Sequence, residues 1–431
     1  MSGATAGTAP RPDVAMSGGT ARTAPRLDVA VIGAGPAGAA AAIRAARGGA
    51  RVTVFEKGPP GRDKVCGDGL TPRAVAALGE LGVSLDGAHR IDGLRMIAGR
   101  ARRELLWPAG NRFGAHGAVW PRRALDRHLV EAAEAAGAEI RFRTEVLPSL
   151  AADGTVVGVE STRGGGRWTA DLVVLAAGAP GAAARLLGAD RVDSEPFGLA
   201  IRTYAPSPRH ADRHLEACLT LRGSEGGWVP GYGWMFPAGD GTVNIGAGSM
   251  STMKGFRRLN LNRLLDDYRE QVAEEWELGD YLERPRAWRL PMSTVRRHGP
   301  GWVAVGDAAG LINPMNGEGI DYGLESGMLL ADLFLADPAA AADEYDRMIG
   351  ERFDGFLRTG RRFSFLIGHP WILRNGLRLA VGTQAVADIT LQVMGNLIDG
   401  DTEGLAPRVL DVADRGLRLA DPLLRGSRAR A

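Results

Sequence analysis

Residues Leu27–Lys57 read LDVAVIGAGPAGAAAAIRAARGGARVTVFEK, and the fold turns on how that stretch is parsed. Leu27 to Ile32 is a short apolar run with β-branched residues, the mark of a buried strand. Gly33, Gly35 and Gly38 come next, with Pro36 and Ala37 opening a helix of small side chains. A second β-branched run stops at Glu56 and Lys57, completing a β-α-β unit. Glycines at that turn let a pyrophosphate approach the free amides of the helix N-terminus, where the helix dipole favours negative charge. Glu56 stands where an acidic side chain accepts hydrogen bonds from a ribose hydroxyl. These residues predict a dinucleotide site and leave FAD and NAD undecided.

At 431 residues the chain is too long for one ordinary core, which predicts two or three structural regions. Lys+Arg 52 against Asp+Glu 50 leaves a formal charge of +2, no footprint for nucleic acid. Cys66 and Cys218 are too few for a disulfide framework and form no C-x-x-C pair, so a reducing, cytoplasmic setting is expected. His210 and His214 have an i, i+4 spacing but no third ligand, and they read as surface residues, with no metal expected. No uncharged apolar run reaches the roughly 18 residues of a membrane span. The expectation is a protein that is soluble or lies peripherally on the inner face of the cell membrane.

The first residues repeat: MSGATAGTAPRPDVA is followed by MSGGTARTAPRLDVA, so residues 1–26 read as a duplicated, disordered tail. Thr71 and Pro72 look like the cap and first position of a helix, and PRRALDRHLVEAAEAAG is another that stops at Gly137. Asp153-Gly154 and Asp240-Gly241 are hairpin turns. From about Ser194 to Leu290 short aromatic strands replace the parallel-strand style, with one helix over roughly 259–276. The α/β style returns at WVAVGDAAG, and from Ala339 the pattern is helical to the end. A β-rich region set inside an α/β region predicts a discontinuous first domain over 27–90, 118–190 and 291–338. The β-rich substrate domain would take 91–117 and 191–290, and a C-terminal helical region 339–431.

VGDAAGLINPMNGEGIDYG has a strand ending at Gly306-Asp307, a loop, and a helix opening at Gly317-Glu318-Gly319. Here the chain resembles the p-hydroxybenzoate hydroxylase-type flavoproteins, an α/β fold with a Rossmann-type FAD-binding domain. The resemblance implies FAD, with Asp307 near its ribityl chain and pyrophosphate, and the start of the helix at its pyrimidine edge. A positive helix end there stabilises negative charge on a reduced ring. DLVVLAAGAPG, residues 171–181, resembles the strand and turn that close over the cofactor, and Arg122 in VWPRRALD matches a family arginine four residues before Asp126. The resemblance thus implies Cys66, Gly67, Arg122, Val146, Ala177, Gly178, Gly306, Asp307, Pro314, Gly317, Gly319 and Ile320 as cofactor contacts, beside Gly33, Gly35, Pro36, Ala37, Gly38, Glu56 and Lys57.

KVCGDGL, residues 64–70, narrows the family. A lysine, one residue, then Cys-Gly after the glutamate strand resembles the geranylgeranyl reductases, flavoenzymes that saturate isolated double bonds of prenyl chains. GYGWMFP matches their Y-x-W-x-F-P block through Tyr232, Trp234, Phe236 and Pro237. The surroundings look most like the actinobacterial branch, which includes menaquinone side-chain reductases. The substrate implied is a polyprenyl group on a quinone, lipid or terpenoid, with Cys66, Tyr232 and Trp234 as catalytic candidates. The electron donor stays open between NAD(P)H and a ferredoxin-like reductant. Cys66 reads either as proton donor or as an inert small hydrophobe, and Lys64 beside it is expected to favour its thiolate. Tyr232 and Trp234, two apart on a strand, read equally as core or as the wall of a greasy site.

Two rivals share the scaffold. A flavin monooxygenase or halogenase would use oxygen, although the halogenase block normally has two tryptophans where Tyr232 and Trp234 stand. A prenyl-lipid binding protein would have lost its flavin glycines. The segment from Phe363 to Ile398 is apolar on more than one helical face, with Arg374 and Arg378 among its charges, and reads as a buried cap or as a membrane-surface element.

Overall fold

The computed structural model describes residues 26–398, apart from 110–111, 179–180, 191–194, 224–226, 230, 294, 368–370, 372–374 and 377–381, together with 408–409, 412 and 415. The expected tail lies outside these residues, Arg26 excepted, as does most of the chain beyond Ile398.

Asp28–Ile32 is the fourth strand of a six-stranded sheet. The order is His298–Gly299, Trp302–Ala304, Leu172–Leu175, Asp28–Ile32, Arg51–Phe55 and Glu139–Arg141, all parallel except the first. The chain leaves Asp28–Ile32 for one neighbour and later returns to the other, so the sheet has a switch point beside Gly33. Ligands of open α/β sheets bind in that crevice, outside the carboxyl ends of the strands.

The helix Pro36–Arg47 owes its alanines to its neighbour, Ile320–Ala336. A Cβ on Gly327 would lie 2.4 Å from the Ala37 carbonyl oxygen, and Gly323 faces the Ala37 methyl. Only small residues let two backbones come this close. The helix Pro72–Glu80 starts as its sequence predicts, with Thr71 Oγ1 accepting from Ala74 N at 3.3 Å and Pro72 in the first turn. Arg122–Ala135 likewise ends just before Gly137, whose φ is +98°.

A second sheet has seven strands in the order Arg286–Pro291, Phe197–Pro206, Thr242–Met250, Tyr232–Pro237, His214–Cys218, Gly93–Ala98 and Ala101–Leu106. One face carries Ile201, Cys218, Met235, Ile245 and Ala247, packed on the helix Leu261–Trp276. Cys218 is therefore core. The other face carries Tyr232, Trp234 and Phe236, and it roofs the crevice of the first sheet. Register explains how such rings fit: Trp234 pairs with Gly246 and Tyr232 with Gly248. A Cβ on Gly246 would lie 2.0 Å from the Trp234 ring, so glycine there gives the indole its bed.

Beyond Ala339 the described chain forms Ala341–Ile349, a single wide turn at Gly350–Asp354, Gly355–Ile367 and Gln384–Met394. Gln384–Met394 buries Ala387 and Leu391 in a cluster with Leu105 of the second sheet and with Trp107, just beyond its last strand. This half of the Phe363–Ile398 segment caps the core. Trp371, by contrast, is 70 % exposed. Among the described residues no helix is long and apolar enough to cross a membrane.

Candidate active site

A cavity of about 560 Å³ lies between the two sheets. Of the residues singled out by sequence it is lined by Gly33, Gly35, Pro36, Ala37, Glu56, Lys57, Cys66, Gly67, Arg122, Val146, Ala177 and Gly178. Gly306, Asp307, Gly317, Gly319, Ile320, Tyr232 and Trp234 complete that set. Two of the expected contacts lie outside that lining. Pro314 does not line the cavity; its ring packs where a Cβ on Gly360 would sit, 3.1 Å away, because the loop turns it toward the C-terminal helices. Gly38 is also outside the lining, and its role is steric: a Cβ there would lie 2.0 Å from the Gly33 oxygen.

The three glycines of the turn divide by geometry. Gly33 has φ +108° and a Cβ would meet the Ala176 oxygen at 2.4 Å, so it closes the turn against the neighbouring strand. Gly35 has ordinary extended backbone, and a Cβ there would meet nothing nearer than Arg62 Nη2 at 3.9 Å. Its missing side chain leaves room in the cavity at a helix N-terminus that no side chain caps. A dinucleotide pyrophosphate fits this cradle, and anions are stabilised there by unpaired amides. Glu56 accepts from Ala34 N (3.2 Å) and Gly58 N (2.8 Å) and pairs with Arg62 Nε (3.1 Å), which fixes the carboxylate at the cavity edge. Across the cavity, Lys64 Nζ lies 3.5 Å from Asp307 and 5.5 Å from the Trp288 ring centre.

Cys66 sits on a loop that is pinned through Asp68. Asp68 has φ +65°, a left-handed conformation that aspartate tolerates better than most residues. Its carboxylate accepts from Arg122 N (3.1 Å), from Asn244 Nδ2 (2.8 Å) and from the Tyr204 hydroxyl. Asn244 Nδ2 also donates to the Cys66 carbonyl at 2.9 Å, and Trp234 Nε1 donates to Asn244 Oδ1 at 3.0 Å. One network thus fixes both the cysteine loop and the indole that faces it. Asp68, Tyr204 and Asn244 were not visible as site residues in the sequence, because they act across 136 to 178 residues of chain.

The thiol is half-buried, its remaining exposure being toward the cavity. Burial pushes its pKa up, Asp68 and Glu318 add to this, and Arg122 with the Asp68 amide pulls the other way. Cys66 therefore stays a protonated thiol at neutral pH, contrary to the thiolate expected from Lys64, whose ammonium is engaged with Asp307. Burial also opposes the charge on Arg122, but its ion pair with Asp126 outweighs it and holds the guanidinium charged. Burial, with Glu318 and Cys66, pushes the Tyr232 phenol up to about 12. Cys66 and Tyr232 are thus neutral hydrogen donors at neutral pH, a state suited to giving a proton rather than to nucleophilic attack.

Beyond Trp234 the cavity becomes apolar, lined by Phe236, Leu215, Ala217, Leu94, Trp107 and Met394. Such a wall suits a hydrocarbon, the Trp107 indole N–H being its one polar group.

Comparison with known proteins agrees with the site. The model of the FAD binding domain family matches residues 26–344. The chain is 39% identical over 399 residues to the menaquinone reductase of Mycolicibacterium smegmatis, covering 88% of this chain and 96% of that one. It is 32% identical to digeranylgeranylglycerophospholipid reductase 1 of Methanopyrus kandleri, over 70% of this chain and 78% of that one. Among solved structures, a geranylgeranyl bacteriochlorophyll reductase-like protein of Thermoplasma acidophilum superposes with a TM-score of 0.72 at 23% identity, over 90% of this chain and 99% of the other. The flavin-dependent brominase Bmp2 superposes equally well, at 0.73 and 18% identity over 91% and 98%, so these likenesses speak for the fold alone.

Proposed function

The chain belongs to the FAD binding domain family, and from that premise we propose that it is a reductase that saturates isolated carbon–carbon double bonds of a polyprenyl chain. The observation that carries this reading is the Cys66 side chain set where the polar cofactor cradle meets the apolar end of one cavity, in surroundings whose burial pushes its pKa up. Reduced FAD, when bound, supplies the hydride for one alkene carbon. Gly33, Gly35, Pro36, Ala37, Glu56, Asp307, Gly317 and Gly319 would hold the cofactor, with Arg122 and Lys64 close by.

An isolated alkene has no carbonyl to polarise, so its second carbon needs a proton from an acid held close to it. Cys66 would be that acid, and Asp68 N donates to its Sγ at 3.3 Å, which holds the thiol in place. The rings of Tyr232, Trp234 and Phe236 stand in a row, 5.7 and 6.3 Å apart and tilted to one another, and would face the alkene. Their rings can stabilise positive charge as it grows on the substituted carbon. The apolar end would receive the rest of the chain.

The names of the relatives support a quinone or a lipid as the carrier of that chain. Exposed Trp371 and Phe363 support delivery from a membrane surface, and both lie on the segment that reads as a buried cap or as a membrane-surface element.

The test is anaerobic. Protein reduced chemically and given a geranylgeranyl-bearing substrate should yield products heavier by two hydrogens for each double bond. Products with added oxygen or halogen, formed only in air, would favour the monooxygenase reading instead.

A further inference from the structure

The cavity has an open end and a closed one, and the second sheet spans both. Across that sheet the lining passes from Trp288 on Arg286–Pro291 to Trp234 on Tyr232–Pro237, then to Ala217 on His214–Cys218 and Leu94 on Gly93–Ala98. Trp288, on the edge strand, is 38 % exposed and marks the open end. Leu94, Ala217 and Trp107 are each no more than 6 % exposed, and Ile91, Leu105, Val119 and Leu391 pack behind them. Among the described residues this end is blind. Met394 completes it, and the chain there is tied down. Asn316 Nδ2 donates to the Met394 carbonyl (2.7 Å), and Asn313 Nδ2 donates to Asn396 Oδ1 (2.5 Å). The end of the helix Gln384–Met394 is thereby fastened to the loop that precedes Ile320–Ala336.

The reacting position lies a short way from that stop. Gly67, next to Cys66, sits against the strand Tyr232–Pro237: a Cβ on it would lie 3.0 Å from the Phe236 ring and 3.3 Å from Trp234 Nε1. Two strand spacings, through His214–Cys218, separate Tyr232–Pro237 from Gly93–Ala98. At about 4.8 Å each they amount to about 10 Å. An isoprene unit adds four chain bonds of about 1.5 Å, or about 5 Å when extended. About two units therefore fit between Cys66 and the closed end. Ala217 keeps that depth free. It stands opposite Trp234 in register, while the indole lies the other way, over Gly246.

We propose that the closed end is a stop that selects which double bond of the prenyl chain is reduced, with Ala217, Trp107 and Met394 setting its depth. The inference rests on the reading of this site as a prenyl-chain reductase with Cys66 at the reacting alkene. An uncharged end of the substrate enters until Trp107 and Met394 halt it. The double bond then lying at Cys66 is saturated, and its neighbours lie about 5 Å too deep or too shallow. The product is saturated at one position, and the rest of the chain runs out past Trp288. A charged head group is not the leading end, because burying its charge against this apolar wall is costly.

Menaquinone with a geranylgeranyl side chain, given to chemically reduced protein without oxygen, tests this, because tandem mass spectrometry of the product shows which unit was saturated. Wild type should saturate a single position. Ala217→Leu makes the closed end shallower and should move saturation one unit toward the end that enters. Met394→Ala makes it deeper and should move saturation one unit the opposite way, while its backbone still accepts from Asn316. In each variant the ratio of the new position to the old should rise by at least about tenfold, the effect of one misfitting side chain. The sense of the shift identifies the leading end as the quinone ring or the free chain terminus, and in either case the two variants must move it oppositely. Saturation spread over several positions in wild type, an unmoved position in either folded variant, or two shifts in the same sense would overturn the proposal. Should Ala217→Leu fail to fold, Ala217→Val is the milder plug, and Met394→Ala must still shift the position on its own. If wild type yields saturated product whose position ignores both variants, only this inference fails; if wild type yields none, the underlying reading fails.

Discussion

Alanine and valine at Gly35 should weaken flavin binding, valine the more, and leave folding intact. The argument is local. Gly35 has φ −78° and ψ −179°, which any residue adopts, and a Cβ there would meet only Arg62 Nη2, at 3.9 Å. The cofactor-free protein should therefore keep its stability within about 0.5 kcal/mol, or gain up to about 1 kcal/mol from a stiffer unfolded chain. The same methyl projects into the space where the pyrophosphate must approach. Overpacking of that size costs about 1–3 kcal/mol, or roughly a tenfold to hundredfold weaker Kd for alanine and more for valine. Alanine at Gly33 or Gly38 is the control: a Cβ would lie 2.4 Å from the Ala176 oxygen or 2.0 Å from the Gly33 oxygen, and both variants should lose stability outright. Flavin absorbance of the purified proteins, FAD titration by fluorescence and melting of the cofactor-free forms measure all three. Full flavin absorbance in Gly35→Val, or a Gly35→Ala protein as unstable as Gly33→Ala, would refute the division of the glycines.

Three more outcomes follow from the cysteine loop and the surface. Asp68→Asn swaps an acceptor of three hydrogen bonds for a group that must present N–H to one of those donors, at a cost of about 1–3 kcal/mol in unfolding free energy and with weaker flavin retention. The Cys66 pKa is raised in the folded state, so the folded form holds its proton more tightly than the unfolded form does. Iodoacetamide should thus label Cys66 in the cofactor-free protein only slowly at pH 8 and faster well above pH 9, whereas denatured chain reacts readily at pH 8; fast labelling of folded protein at pH 7 would contradict the direction. Finally, Trp371→Glu should reduce binding to vesicles without changing the melting temperature, since the side chain is exposed; equal vesicle binding would leave the segment without a role at the membrane.

The cofactor half of the site was legible because its signals are local. A strand, a glycine turn and an acidic residue within thirty-odd positions need no knowledge of the rest of the chain, and Thr71-Pro72 and Asp240-Gly241 read equally well. The limits came from distance. Asp68 looks like an ordinary turn residue in CGDG; its part emerges only when Tyr204 and Asn244, on two adjacent strands of the second sheet, fold over it. Lys64 was misjudged for the same reason, since its partner Asp307 comes 243 residues later. Gly38 and Pro314 belong to recognisable motifs, yet their motif position says nothing of which way the backbone turns them. The seam between cap and surface in the last third was equally hidden. Periodicity reports an apolar face, and only packing against Leu105 and Trp107 says that Gln384–Met394 buries it.

The central claim is that Cys66 delivers the proton that completes saturation of an unpolarised alkene, and rates of anaerobic product formation by wild type and Cys66→Ser test it most directly. A hydroxyl fills nearly the same space and can still accept from Asp68 N, but it is a far weaker acid. The account predicts that the variant holds FAD and binds substrate as wild type does, while its formation of the product heavier by two hydrogens falls by at least about a hundredfold. A Cys66→Ser protein that saturates the prenyl chain at the wild-type rate would contradict it.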